Sequence, residues 1–193
     1  MLFCIYCPFP FKTGEISMQT VELTVELKTP DVIAQTAASA LRGRMGYESA
    51  LVSLSRADYF RLAIHADNPQ QAVQVADTLA RDTTLFLNPL KHRYQVQPGL
   101  HNSLISDDDG AWTVHVLVTD DGNEAGKTIL KSLHDGQGVG EQVQSVVVGT
   151  LWALTLRGDS PEQARQMAEQ MAVTRSRSEG LLLNPHYQDS EVW

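Results

Sequence analysis

Cysteine is almost missing from this 193-residue chain: two occur, Cys4 and Cys7, and none follows them. A fold with no further cysteine needs no disulfides, which fits a reducing compartment, so a cytoplasmic location is expected. The two form a lone C-x-x-C, but a structural zinc needs four ligands and there is no second pair. A redox pair of the thioredoxin type sits between a strand and a helix, whereas these lie ahead of the first recognisable element. Long apolar runs are missing as well. No stretch approaches the roughly eighteen consecutive apolar residues of a membrane-spanning helix, so no membrane association is expected. Dense Lys/Arg clusters are also missing and the net charge is −8, which argues against nucleic acid as a partner.

The usual catalytic and ligand-binding signatures are equally scarce. The six histidines show no H-x-x-x-H or H-E-x-x-H spacing and no G-x-S-x-G elbow occurs, so no catalytic or metal-ligating set is expected. Gly136, Gly138 and Gly140 give a G-x-G-x-G, but it follows a helical pattern and opens a strand pattern. A phosphate loop needs the reverse order, so these glycines are expected to form a helix-to-strand turn, and no cofactor is expected. Residues 1–17 are apolar but lack a basic start and carry Pro8 and Pro10. They are expected to be a disordered extension ahead of Met18, outside the folded part.

What the chain does contain is an internal repeat. Aligning residue n with n+92 matches Leu62, Asp67, Pro69, Gln71, Ala72, Gln74, Ala76 and Ala80 with Leu154, Asp159, Pro161, Gln163, Ala164, Gln166, Ala168 and Ala172. Self-similarity at a fixed offset is the mark of a duplicated structural unit. Leu87-Asn88-Pro89 recurs as Leu183-Asn184-Pro185 at an offset of 96. The four extra residues approximate one helical turn, so a lengthened second helix would keep its apolar face inward. Residues 18–97 and 111–193 are therefore expected to be two modules, each with its own core, joined by a polar linker over 98–110 that carries Asp107, Asp108 and Asp109.

Each module reads alike. Val21, Leu23, Val25 and Leu27 alternate with polar residues as a half-buried strand does, and Trp112, Val114, Val116 and Val118 repeat the pattern. Helices are expected over about 31–42 and 123–134. Strand pairs are expected over 49–56 with 59–66 and over 142–148 with 151–158, each pair forming a hairpin. The clearest helix start is Asn68 or Ser160 as N-cap, followed by Pro69 or Pro161 and by Gln71 or Gln163 at the third position. A short strand follows each Asn-Pro. The expected fold is α+β: two tandem β-α-β-β-α-β modules, pseudo-two-fold related, with helices on one face of a mainly antiparallel sheet.

The alternating first strand, the Gly46-Tyr47 turn, the strand ending Val146-Val147-Val148-Gly149 and the closing Leu87-Asn88-Pro89 and Leu183-Asn184-Pro185, in this order and spacing, resemble the PurS family of the purine-biosynthetic phosphoribosylformylglycinamidine synthase. The first copy offers Gly46 and Tyr47, then Phe60, Leu62 and Ile64, then Leu85, Leu87, Asn88 and Pro89. The second offers Gly126 and Lys127, then Val146, Val148 and Gly149, then Leu182, Leu183, Asn184 and Pro185. The family's D-P-x-G-K segment survives as Glu124-Ala125-Gly126-Lys127 in the second copy and is absent from the first, and Ala57 stands where the second copy has Gly149. The resemblance implies a non-catalytic scaffold subunit, a covalently fused pseudo-dimer whose partners are the synthetase and glutaminase subunits of the same complex. It makes Asn88, Pro89, Asn184, Pro185, Gly149, Gly126 and Lys127 the structural or interface candidates. The alternative is a regulatory module that binds a small metabolite between its two halves.

Overall fold

The computed structural model describes residues 17–99, 105–106, 110–136, 138–176 and 180–193. Cys4, Cys7 and the three aspartates at 107–109 lie outside them. The fold is α+β, with four helices and one antiparallel sheet among the described residues. In chain order the elements are β1 (Ser17–Leu27), α1 (Val32–Gly43), β2 (Leu51–Ala66), α2 (Pro69–Asp82), β3 (His92–Pro98), β4 (Ile105–Ser106), β5 (Ala111–Asp120), α3 (Glu124–Asp135), β6 (Val143–Arg157), α4 (Pro161–Ala172) and β7 (Gln188–Val192). The strand order is β3-β1-β2-β6-β5, with β4 and β7 sharing the outer edge of β5. No helix among the described residues is long and apolar enough to cross a membrane.

Local chemistry explains the helix starts. Asn68 and Ser160 accept from the N–H groups of Gln71 and Gln163 at 2.8 and 3.2 Å, and proline occupies the first helical position in both. Asp31 caps α1 by accepting from Ile33 and Ala34, while its other oxygen takes the Arg56 Nε–H at 2.9 Å. Gly136, Gly138 and Gly140 belong to the connection from α3 to β6, which includes a 3₁₀ turn over Gly138–Gln142.

Three expectations are corrected. The hairpins at 49–56/59–66 and 142–148/151–158 are instead single long strands, β2 and β6, which pair with each other along the middle of the sheet. Ala57 and Gly149, placed where turns were expected, lie within this central ladder because long-range hydrogen bonding outweighs a weak local turn preference. The four extra residues do not lengthen the second helix of the repeat, since α4 has 12 residues and α2 has 14. They fall after it, where Val173 bridges to Leu183.

Separate cores are the third correction. Alternation places Val21, Leu23, Val25, Phe60, Leu62 and Ile64 on the helix-bearing face under α2, and Leu133, Val143 and Val146 from the second half complete the same cluster. The second cluster mirrors this: Val114, Val116, Leu154 and α4 are joined by Ala34, Ala38, Leu41 and Leu51 from the first half. Each core is thus built from both segments. At the margins, Ser17 belongs to β1, paired with Ala66, and Ile105 and Ser106 within the expected linker pair with Thr113 and Trp112.

One row of partners runs across the whole sheet: Tyr94, Val25, Asp58, Thr150, Val118, Ser190. Working outward from its centre, the members differ in number by 92, 93 and 96. Away from the centre, Phe60 lies opposite Val148 and Arg56 opposite Trp152, so adding 92 exchanges one pair for the other.

Candidate functional site

All the strand residues packed under the helices share one face, which leaves Glu22, Thr24, Tyr59, Arg61, His115, Leu117 and Leu151 on the other. Among the described residues no helix covers that second face, yet Glu22 is only 1% exposed there and Tyr59 is fully buried. A buried carboxylate must be hydrogen-bonded to be tolerated. The Tyr59 hydroxyl donates to Glu22 Oε1 at 2.5 Å, and Gln97 Nε2 donates to Oε2 at 3.4 Å. Arg61 donates its Nε–H to the Tyr59 oxygen at 3.2 Å and closes a two-pronged pair on Glu191 at 3.0 and 2.8 Å. Strands β1, β2, β3 and β7 thus each contribute to one chain of hydrogen bonds.

The electrostatics of this chain favour holding over proton transfer. Burial, and then the hydrogen bond to Glu22, push the Tyr59 hydroxyl well above its ordinary range, with Arg61 opposing in part. Tyr59 therefore stays a donor at neutral pH and is poorly matched to act as a general base there. The Glu191 carboxylate holds the Arg61 guanidinium above its usual range, against its burial. No group of three His, Cys, Asp or Glu side chains that could hold a metal occurs among the described residues.

Beside this chain lies a cavity of about 230 Å³. Ala153 of β6 lines it, Glu22, Gln95 and Gln97 border it from β1 and β3, and His115 and Trp193 border it from β5 and the end of the chain. Trp193 pairs its backbone with His115, stacks on that imidazole at 6.2 Å, and packs with Tyr59, Leu117 and Leu151. Its Nε1 is buried and has no hydrogen-bond partner among the described residues.

The candidates named from sequence lie elsewhere. Asn88 and Asn184 form equivalent turns: each side-chain oxygen accepts from the N–H two residues on, and each carbonyl accepts from the N–H four residues on. Pro89 and Pro185 are exposed beside them. Gly149 faces the backbone of β5, where a Cβ would stand 2.6 Å from the Val118 carbonyl oxygen. Lys127 is exposed and pairs with Glu124 at 2.7 Å. Gly126 is buried where α3 crosses β6, fastened by Asn123, whose side chain donates to the Val146 carbonyl at 2.7 Å and accepts from the Val148 N–H at 3.1 Å. A Cβ on Gly126 would stand 2.1 Å from the Val146 oxygen. The Gly126→Ala variant must lift α3 off the sheet, at a cost of about 3 kcal/mol, or a fall of roughly 6–12 °C in melting temperature. Scanning calorimetry checks this, and a melt within about 2 °C of the parent would refute the close approach.

The structure does not bring the sequence candidates together into one site, and the sequence reading missed the Glu22–Tyr59–Arg61–Glu191 chain. Its members are scattered from position 22 to position 191, so no spacing reveals them. One signal was available: the repeat counterparts of Tyr59 and Arg61 at the offset of 92 are Leu151 and Ala153, a point where the two copies diverge in chemistry. Compared with protein-family models, with curated proteins and with solved structures, the chain matches none.

Proposed function

We propose that this chain is a non-catalytic bridging subunit: two PurS-like units fused as a covalent pseudo-dimer, joining the synthetase and glutaminase subunits of a purine-biosynthetic amidotransferase. The observation that carries the reading is the register of the central ladder. Pairs that exchange when 92 is added, centred on Asp58 opposite Thr150, are what two copies of one unit give when they meet strand to strand about a two-fold axis. The outer strands support it, since β3 and β7 lie opposite corresponding residues at the two edges. Fusion keeps the second copy at high effective concentration, so assembly persists on dilution.

A two-fold object offers the same kind of surface twice, which suits a bridge. The two Asn-Pro turns lead into β3 and β7 and present Leu90, 87% exposed, and Tyr187, 69% exposed. Together with Asn88, Pro89, Asn184, Pro185 and Lys127 these are the proposed contacts, because exposed large side chains on rigid turns make good anchors. The test mixes the full chain with both partner subunits and follows glutamine-dependent amidine formation and co-elution. The expected result is a ternary complex with activity above that of the partners alone. Leu90→Asp and Tyr187→Asp should each weaken assembly about tenfold with the melting temperature unchanged. No complex and no gain in activity with competent partners would overturn the bridging role.

A further inference from the structure

The helix-free face has the composition of a covered surface. A sheet face that meets water normally carries charged and polar side chains at its alternate positions. Here the two central strands present Ala57, Ala63, Val147, Leu151 and Ala153 among serines and threonines, and no strand carries a lysine. Tyr59, Leu117 and Trp193 form an apolar cluster on the same side. The charges that do occur are matched within the chain, Arg61 with Glu191 and Arg93 with Glu26, while Glu22 holds Tyr59 and Gln97. Loss of lysine with retention of tyrosine, tryptophan and arginine is the composition of an interface core.

Size and shape say what covers it. Six strands about 4.8 Å apart, overlapping for roughly nine residues of about 3.4 Å each, make a face of about 900 Å². A stable pair of proteins buries about 800 Å² per partner, so one further sheet of this size suffices. The face is raised on one side of Asp58 and hollow on the other. On the raised side the Arg61 guanidinium lies 5.6 Å over the Tyr59 ring and reaches Glu191. On the hollow side the cavity of about 230 Å³ opens beside Ser55 and Ala153, which lie opposite each other on β2 and β6. Ser55 and Arg61 stand at equal distances from Asp58 along β2. A two-fold axis that lies between two stacked sheets and crosses the strands at Asp58 therefore lays Arg61 of one chain over Ser55 of the other. Each raised side then meets the other chain's hollow.

We propose that the helix-free face is the dimer interface of this chain, closed by a second copy stacked sheet to sheet about that axis. The helices of both chains face outward, and the two sheets form a sandwich with about 10 Å between them. The dimer does not rest on the bridging role.

Sedimentation equilibrium and light scattering of the full chain alone provide the test, so its outcome is separate from that of the assay with partner subunits. At about 50 μM the mass should be twice 21.3 kDa. Because the charges are matched before the sheets meet, raising the salt from about 0.05 to 0.5 M should leave the dimer intact. Ser55→Arg sets a second guanidinium against Arg61 of the facing chain and should weaken the dimer about a hundredfold. Ser55 is exposed, so the melting temperature of the monomer should stay the same. Ser55→Glu, which sets an acid against the same arginine, should weaken the dimer far less. Ala63→Glu, which places a carboxylate in the middle of the interface, serves if the arginine variant does not fold, and Gln74→Arg, exposed on α2, should change nothing. The proposal is overturned by a mass of 21.3 kDa at every concentration, by a dimer that dissociates as salt is raised, or by one that Ser55→Arg and Ala63→Glu leave unchanged. Equal damage from Ser55→Glu and Ser55→Arg would overturn the placing of Arg61 over Ser55.

Discussion

Expressed as separate fragments, residues 17–109 and 110–193 are expected not to fold as monomers, and to regain a cooperative melt when mixed. The cluster beneath α2 needs Leu133, Val143 and Val146 from the other segment, and each such buried side chain contributes about 1.5–3 kcal/mol. Losing three removes roughly 5–9 kcal/mol, comparable with the entire stability of a typical domain at about 5–15 kcal/mol. The second cluster loses Ala34, Ala38, Leu41 and Leu51 in the same way. Cutting between the halves also bares the long inner edges of β2 and β6, with Leu54, Phe60 and Leu62 beside unpaired backbone groups, an invitation to self-association. Sedimentation and circular dichroism of each fragment decide the matter. A monomeric fragment with native sheet content and a sharp melt would show that the interleaved clusters are dispensable.

The interleaving explains which parts of the fold were legible in the sequence. The starts of α2 and α4 were readable because Asn68, Pro69 and Gln71 act on one another within a single turn, as do Ser160, Pro161 and Gln163. The alternation of β1 and β5 was readable for the same reason, since one face of each strand meets apolar helices. The reading failed at Ala57-Asp58 and Gly149-Thr150, which fall between the strand runs expected to pair as hairpins. These positions are the centre of the ladder between β2 and β6, and strand continuity there depends on a partner 92 residues away, as Thr150 is from Asp58. No local window contains that information.

The candidate site was hidden for a related reason. Strand alternation marks Glu22 as a polar residue on an outward face, and nothing near it in sequence indicates burial. The β1–β2 pairing brings the Tyr59 hydroxyl to its carboxylate and the β1–β3 pairing brings the Gln97 amide. Arg61 then finds Glu191 only because β7 returns to the edge of β5.

Removing one hydroxyl from this chain should have an effect that depends on pH in a defined direction. Tyr59→Phe deletes the donor to the buried Glu22 carboxylate and the acceptor for Arg61 Nε while leaving the ring in place. A hydrogen bond to a charged group is worth about 1.5–3 kcal/mol, so the variant should melt roughly 3–12 °C lower at pH 7. Raising the pH should then narrow the gap between variant and parent. The folded state holds the Tyr59 proton well above the ordinary value of 10, chiefly through burial and secondly through Glu22. Below pH 10 both folded and unfolded chains keep the proton, and the full stabilisation is present. Above it the unfolded chain releases a proton that the folded chain retains, so the parent loses up to about 1.4 kcal/mol for each further pH unit. The phenylalanine variant has no proton to lose at this position, and Tyr94, whose hydroxyl is raised by its bond to Asp77, is common to both proteins and cancels in the difference. Denaturant melts of parent and variant at pH 7 and pH 11 measure the change, and an equal gap at both values would mean that the Tyr59 hydroxyl is not held by Glu22 in the folded state.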